Sequence, residues 1–286
     1  MSQFDSFVGG TGLPGILKRK DLVFGVARET QWMIGKRMEK LRKELHESMS
    51  INPFLIPILF EIHNAKTFSD LGELLLVGHL VGGHNTSFGK LIDEKVLPRV
   101  FGTHKLDKAY RKDNPPLEES CFNEIDHIVF RDGRPILLSL KASRWTIQLT
   151  NAKAINTSFD HIRRHHGDLY PEIVVGVFTG TKDTISDKYD ILRGINRGAM
   201  HNVIDLTDLV SVHAGRAFWS WLNDGEPETQ TWVLEGILEG LRQANCRDEC
   251  KTLLTSYKKS FNRRYAQFVN GKGVVDWHRL LREFNG

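Results

Sequence analysis

The stretch from Cys121 to Lys141 constrains this chain most. Two runs rich in Ile, Val, Phe and Leu are separated there by Arg131-Asp132-Gly133-Arg134. Asp-Gly between such runs signals a β-hairpin, because a type I′ turn needs positive φ at both central residues and twists the way paired strands do. With Asp132 and Gly133 at the centre of the turn, the register runs outward from Arg131 opposite Arg134. Asp126 then faces Ser139, and Glu124 faces Lys141. Side chains alternate with a period of two, so Glu124, Asp126, Ser139 and Lys141 project from one face at the end remote from the turn, with Ile128 and Leu137 nearer to it. The opposite face carries Ile125, Val129, Ile136, Leu138 and Leu140. Both faces are largely apolar, which predicts a covered sheet with four polar groups gathered at one end.

Buried carboxylates and a lysine cost stability unless they pair or bind a cation. Mg²⁺ would satisfy the carboxylates, since it takes one or two protein carboxylates and completes its octahedron with water and phosphate oxygens. Phosphodiester hydrolysis uses such a set. Asp126, helped by the backbone carbonyl of Leu140, would hold the metal, and Lys141 would orient or deprotonate the attacking water. The same residues also describe an ordinary hairpin with a rim salt bridge between Glu124 and Lys141.

Elsewhere the pattern is helical. Residues from about Lys20 to His63 read mainly as helix, with Trp32, Met33, Met38, Leu41 and Leu45 spaced as one apolar stripe, broken by INPF. A second helix is expected through Asp70 to Leu80. After a turn at GGHNT, a third is capped by Thr86 or Ser87 and ended near Pro98. Beyond the hairpin, Ala152, Ile155, Phe159 and Ile162 mark a helical face over 151–166 with Gly167 as its stop, and EIVVGVF reads as a strand buried on both faces. Helical periodicity returns from Thr229 to Glu283. The order of elements predicts an α/β chain, and a helix before the hairpin with a helix and a buried strand after it matches an αβββαβ nuclease core with a mixed sheet, over 86–215. The first strand of that core has no clear place in the sequence. Residues 1–85 and 216–286 supply the two helical parts of a separate dimerisation lobe.

Composition narrows less. Hydrophobic residues make up 40% and charged residues 26%, ordinary for a globular protein, and a net charge of +4 permits nucleic-acid binding without demanding it. No apolar run approaches the ~18 residues of a membrane span, and the N-terminus lacks a signal-peptide pattern. Three cysteines argue against a disulfide framework. A cytoplasmic location is the expectation. No histidine constellation suited to metal-independent catalysis stands out.

Four longer stretches are more specific: FGKLIDEKVLPRVFG from Phe88, EIDHIVFRDGRPILLSLKASRWTIQLT from Glu124, DKYDILRGINRGAMHNVIDL from Asp187 and FWSWLNDGEPETQTWVLEGI from Phe218. In them the chain resembles the type II restriction endonuclease family that cleaves RGGNCCY, of the PD-(D/E)xK superfamily. The resemblance runs from about Ser48 nearly to the C-terminus. It implies a Mg²⁺-dependent homodimer that hydrolyses double-stranded DNA at a short interrupted palindrome and leaves 5′-phosphate ends, with a cognate DNA methyltransferase as genetic companion. It puts the metal-binding aspartate at Asp126 and the catalytic lysine at Lys141. Ser139 stands where the acid of the D/E-x-K triplet is usual, and Ile125 where the proline is. The second acid is then Glu124, in register, or Asp93 or Glu94 on the preceding helix. A G-x-x-x-acid pattern from Gly89 favours Asp93, whose alternative is a solvated helix face.

Reading G·C pairs in the major groove calls for Arg or Lys, and adenine for Asn or Gln. Arg144, Trp145, Thr146 and Gln148 follow the lysine directly and form one candidate DNA contact; Asn196 and Arg197 form the second. The basic clusters from Lys105 to Lys112 and from Arg163 to His166 read as solvated or as phosphate contacts. Two other functions fit the same core: a structure-specific repair nuclease, and a DNA-binding protein whose nuclease centre has decayed.

Overall fold

The computed structural model describes residues 16–44, 52–141, 147–196, 201–272 and 274–285. In chain order the elements are α1 (Arg19–Glu44), α2 (Leu55–Ile62) and α3 (Phe68–Leu91), which continues through a π-helical turn (Ile92–Val96) into α4 (Leu97–Arg99). Then come β1 (His104–Lys105), α5 (Lys108–Asp113), a 3₁₀ turn (Ser120–Phe122), β2 (His127–Arg131) and β3 (Arg134–Lys141). They are followed by α6 (Leu149–His166), β4 (Ile173–Val177), α7 (Lys188–Leu192), β5 (Val210–Ala214), α8 (Arg216–Leu222), α9 (Thr229–Ala244), α10 (Arg247–Tyr265) and α11 (Trp277–Asn285). Among the described residues no helix is long and apolar enough to cross a membrane.

The chain divides into two compact units, one running to Glu29 and from Gly89 to Gly240, the other made of Thr30–Phe88 and Leu241–Gly286. The boundaries fall inside α1, α3 and α9, where the sequence alone suggests divisions at 85 and 215. The first unit is a mixed α/β fold. Its five-stranded sheet has the order β1-β2-β3-β4-β5, with β2 antiparallel to β1 and β3, and β3, β4 and β5 parallel. The hairpin forms as its turn chemistry requires: Asp132 and Gly133 take φ of 48° and 75°, and the register from Arg131↔Arg134 to His127↔Leu138 is the expected one.

On one side of the sheet Ile128, Leu137, Val175 and Val177 share a core with Ala152, Ile155, Phe159 and Ile162 of α6. On the other, Phe218 of α8 lies directly on β4 at Gly176. Both faces are covered, so β4 is buried along its whole length and reads as a continuous apolar run. The second unit has its own core, in which Met38, Leu41, Phe68 and Leu71 pack with Tyr257, Phe261 and Tyr265 of α10.

Several expectations are corrected. GGHNT forms no turn, and α3 runs through it. A Cβ at Gly83 would fall 2.0 Å from the guanidinium of Arg37, which is buried, so this glycine makes room for a neighbouring helix. On the stripe assigned to α1, Met38 and Leu41 are buried but Trp32 is exposed, and Arg37, which is not on the stripe, is buried; Leu45 lies outside the described residues. α6 ends at His166 as expected, yet Gly167 keeps right-handed backbone (φ −60°) and does not supply a left-handed cap. A strand that the sequence does not place, β1, precedes the hairpin; at two residues it is too short to show a period.

Gly176 tests the packing of α8 on the sheet. Any side chain there would meet the Phe218 ring at 2.3 Å, and a rigid ring yields poorly. Gly176→Ala is expected to lower the stability of this unit by about 1–3 kcal/mol in urea unfolding. An unchanged midpoint would mean that Phe218 is not seated there.

Candidate active site

The polar end of the hairpin is built on a departure from regular pairing. The Asp126 N–H donates to the carbonyl of Leu138 at 2.9 Å, although Leu138 is already paired with His127. Two residues thus stand opposite one, a β-bulge, of the kind that re-aims a side chain. Beyond it the Leu140 N–H points toward β2, where a regular ladder would offer the carbonyl of Ile125. That carbonyl accepts from the Arg111 guanidinium instead. The vacated amide donates to Asp126 Oδ2 at 2.6 Å, so the carboxylate completes the ladder that its own backbone leaves unfinished.

Leu140 offers a second group at this place. The peptide groups of Leu137 and Lys141 bond toward β4, the Leu137 N–H to the Glu172 carbonyl and the Lys141 carbonyl to the Phe178 N–H. By strand alternation the Leu140 carbonyl is directed to the β2 side, where Asp126 stands. Lys141, with a side chain only 17% exposed, donates from Nζ to Glu124 Oε2 at 3.1 Å. Glu124 sits in the turn that follows the 3₁₀ segment, outside β2, so the expected pair forms although the strand stops short of it. Ser139 is fully buried, and its Oγ meets no hydrogen-bond partner among the described residues.

Asp93 lies on the π-helical turn and is half-buried. Its Oδ2 accepts from Lys105 Nζ at 2.5 Å and its Oδ1 bonds to His127 Nε2 at 2.8 Å. His127, fully buried, bonds through Nδ1 to the Thr103 hydroxyl at 2.9 Å. Burial pushes the Asp93 carboxyl up, but the hydrogen bonds and charges of His127 and Lys105 more than offset it and hold it below the usual carboxylate range. Asp126 goes the other way. Burial pushes its carboxyl up, with repulsion from Asp93 added, and the Leu140 amide, Lys141 and His127 recover only part of that. The structure therefore brings Asp126, Ser139, Leu140, Lys141 and Glu124 to one end of the sheet, with Asp93 adjoining through His127. Glu94 is exposed on the π-helical turn.

Of the expected DNA contacts, Arg144, Trp145, Thr146 and Arg197 lie outside the described residues. Gln148 is exposed at the N-terminal end of α6, and α6 starts at the end of the sheet where β3 finishes with Lys141. Asn196 Oδ1 accepts the His201 N–H at 2.9 Å. Among the described residues no hydrogen bond or ion pair ties Gln148 or Asn196 to the Asp126 group. Both basic clusters contain residues engaged inside the protein. Arg111 donates to the carbonyls of Leu106, Leu117, Phe122 and Ile125, while Arg163 and Arg164 pair with Asp160. The His127 network and the Arg111 clamp leave no trace in the sequence, because their partners are scattered in the chain or are main-chain atoms.

Comparison with protein-family models returns no match, and comparison with curated proteins returns none either.

The raised Asp126 carboxyl gives a stability test. The folded state binds this proton more tightly than the unfolded chain does, so the aspartate costs stability once pH rises above its unfolded pKa, and the cost is complete above the folded one. Asp126→Asn keeps an acceptor for the Leu140 N–H and removes the charge. The variant is expected to be more stable than wild type at neutral pH, with the difference vanishing below about pH 4; a difference independent of pH in denaturant titrations would contradict the burial of this charge.

Proposed function

We propose that the chain is a Mg²⁺-dependent type II restriction endonuclease that hydrolyses phosphodiester bonds at a short palindrome in double-stranded DNA. RGGNCCY or a close variant is the site that the sequence resemblance favours. The reading rests on one observation above others: a half-buried aspartate just before β2 is bonded to the end of β3, where Lys141 pairs with Glu124, so two acids and a lysine gather at one end of a covered sheet. The order of elements from α3 through β1, β2, β3 and α6 to β4 agrees with the αβββαβ nuclease core.

The donor set fits a hard cation. Asp126 Oδ1 meets no donor among the described residues, and the Leu140 carbonyl and the Glu124 carboxylate are further oxygen ligands at the same place. Bound Mg²⁺ supplies charge neutralisation for the scissile phosphate and its pentacovalent transition state. Asp126 would hold that cation through its free carboxylate oxygen. Lys141 Nζ, released from Glu124, would orient the attacking water or, in its neutral form, take its proton. The water oxygen bonds to phosphorus, and the O3′ leaves and takes a proton from solvent, so the products carry a 5′-phosphate and a 3′-hydroxyl. Ser139 leaves the triplet without its second acid, which makes Glu124 the replacement that needs the least rearrangement. Asp93 would first have to leave Lys105 and His127.

A palindromic site is read most simply by a two-fold dimer, one half-site for each copy. Exposed leucines at 234, 238 and 241 form a stripe along α9, and Leu55, Ile58 and Ile62 form another on α2; such surfaces suit a second copy. A methyltransferase that protects the same sequence and a cytoplasmic setting belong to this reading. Ser139 and the Lys141–Glu124 pair are also the features that favour the second reading, a DNA-binding protein with a decayed centre.

Digestion of a plasmid of known sequence with the purified protein and Mg²⁺ is expected to give discrete fragments ending at one palindrome, and sedimentation to show a dimer. Lys141→Ala should lower the cleavage rate by about 10²–10⁴-fold and leave duplex binding in Ca²⁺ largely intact. A wild type that binds but never cuts would establish the decayed centre. Cutting that follows DNA structure and ignores sequence would make the chain a repair nuclease.

A further inference from the structure

A second group of ligating side chains lies apart from the Asp126 group. Glu119 and Cys121 come from the 3₁₀ turn that precedes β2, and His161 and His166 from the last turns of α6. One ligand atom from each of the four lies within 4.8 Å of all the others. Individual separations are 3.1 Å from His166 Nε2 to Glu119 Oε2, 3.9 Å from His161 Nε2 to the same oxygen, and 3.9 Å from Cys121 Sγ to it. A tetrahedral zinc with bonds of about 2.0–2.3 Å requires ligand atoms about 3.3–3.8 Å apart, and the observed separations straddle that range.

The residue types decide which cation suits the group. An imidazole pair with a thiol is too soft a set for Mg²⁺ or Ca²⁺ and matches zinc. A surface ion pair between Glu119 and His166 would be worth about 0–1 kcal/mol and would explain neither the second histidine nor a buried cysteine whose sulfur is hydrogen-bonded only to the carboxylate among the described residues. We propose that Glu119, Cys121, His161 and His166 form a four-ligand zinc site. Four protein ligands leave no open position, which makes the site structural. It ties the turn to α6, and from that turn the chain runs directly into Glu124 and Asp126.

Co²⁺ is the probe. Titrated into the metal-stripped full chain, it is expected to bind once per chain with the visible bands of tetrahedral Co²⁺ and a thiolate-to-metal charge-transfer band, and Zn²⁺ should displace it. Cys121→Ser should abolish the charge-transfer band. His161→Ala changes a half-exposed side chain, so the variant should fold. Each should weaken Zn²⁺ binding by at least the roughly 10–100-fold that loss of an outer-shell partner costs. Asp126→Asn should leave the titration unchanged, which separates this site from the oxygen-lined one. An octahedral Co²⁺ spectrum without charge transfer in wild type, or wild-type Zn²⁺ affinity in both variants, would overturn the proposal.

Discussion

The hydrogen bond from the Leu140 amide to the Asp126 carboxylate is the contact on which the candidate site depends. It exists because a bulge opposite Leu138 interrupts the hairpin ladder and leaves one amide without a main-chain partner. An orphaned buried N–H is costly, so the carboxylate cannot rotate away without exposing that cost. The aspartate is therefore positioned by backbone accounting, with one oxygen committed and the other presented to whatever approaches the end of the sheet. A half-buried charge with one hydrogen-bond donor is poorly compensated, and this same shortage makes the group a good receiver for a cation.

The second acid of the neighbourhood illustrates the opposite arrangement. Asp93 is fully engaged, each oxygen meeting a cationic or imidazole partner, and His127 behind it is held in turn by Thr103. One carboxylate is under-compensated and one is over-compensated, and His127, the neighbour of Asp126 in sequence, is bonded to the other. Since His127 and Asp126 both face Leu138 through the bulge, the bulge sets the spacing of the two acids as well as the direction of one.

What could be read from the sequence was whatever local chemistry decides. Asp132-Gly133 specifies its turn, and the turn specifies the register as far as His127 opposite Leu138; there the bulge sets Asp126 against Leu138 and not Ser139, yet Glu124, approaching from a turn, still reaches Lys141. What could not be read depends on tertiary context. Gly82 and Gly83 look like a turn, yet the space at Gly83 is taken by a distant arginine and the helix continues. β1 has too few residues for a period, and the inside of β5 is only half-buried, so neither strand announces itself. Arg111 sits within a run that resembles a solvated basic patch, and nothing in the run signals that main-chain carbonyls await it.

That arginine has a wider consequence. Its planar fork grips the carbonyls of Leu106, Leu117, Phe122 and Ile125, so the path of the segment leading into β2 is specified through main-chain atoms. Side chains between those anchor points are then free to vary without shifting the strand. A lineage could retune the chemistry of this loop, acid by acid, while the geometry of the hairpin stayed where it was, provided that position 111 remained an arginine; a lysine, with a single point of charge, could not span the same set of carbonyls.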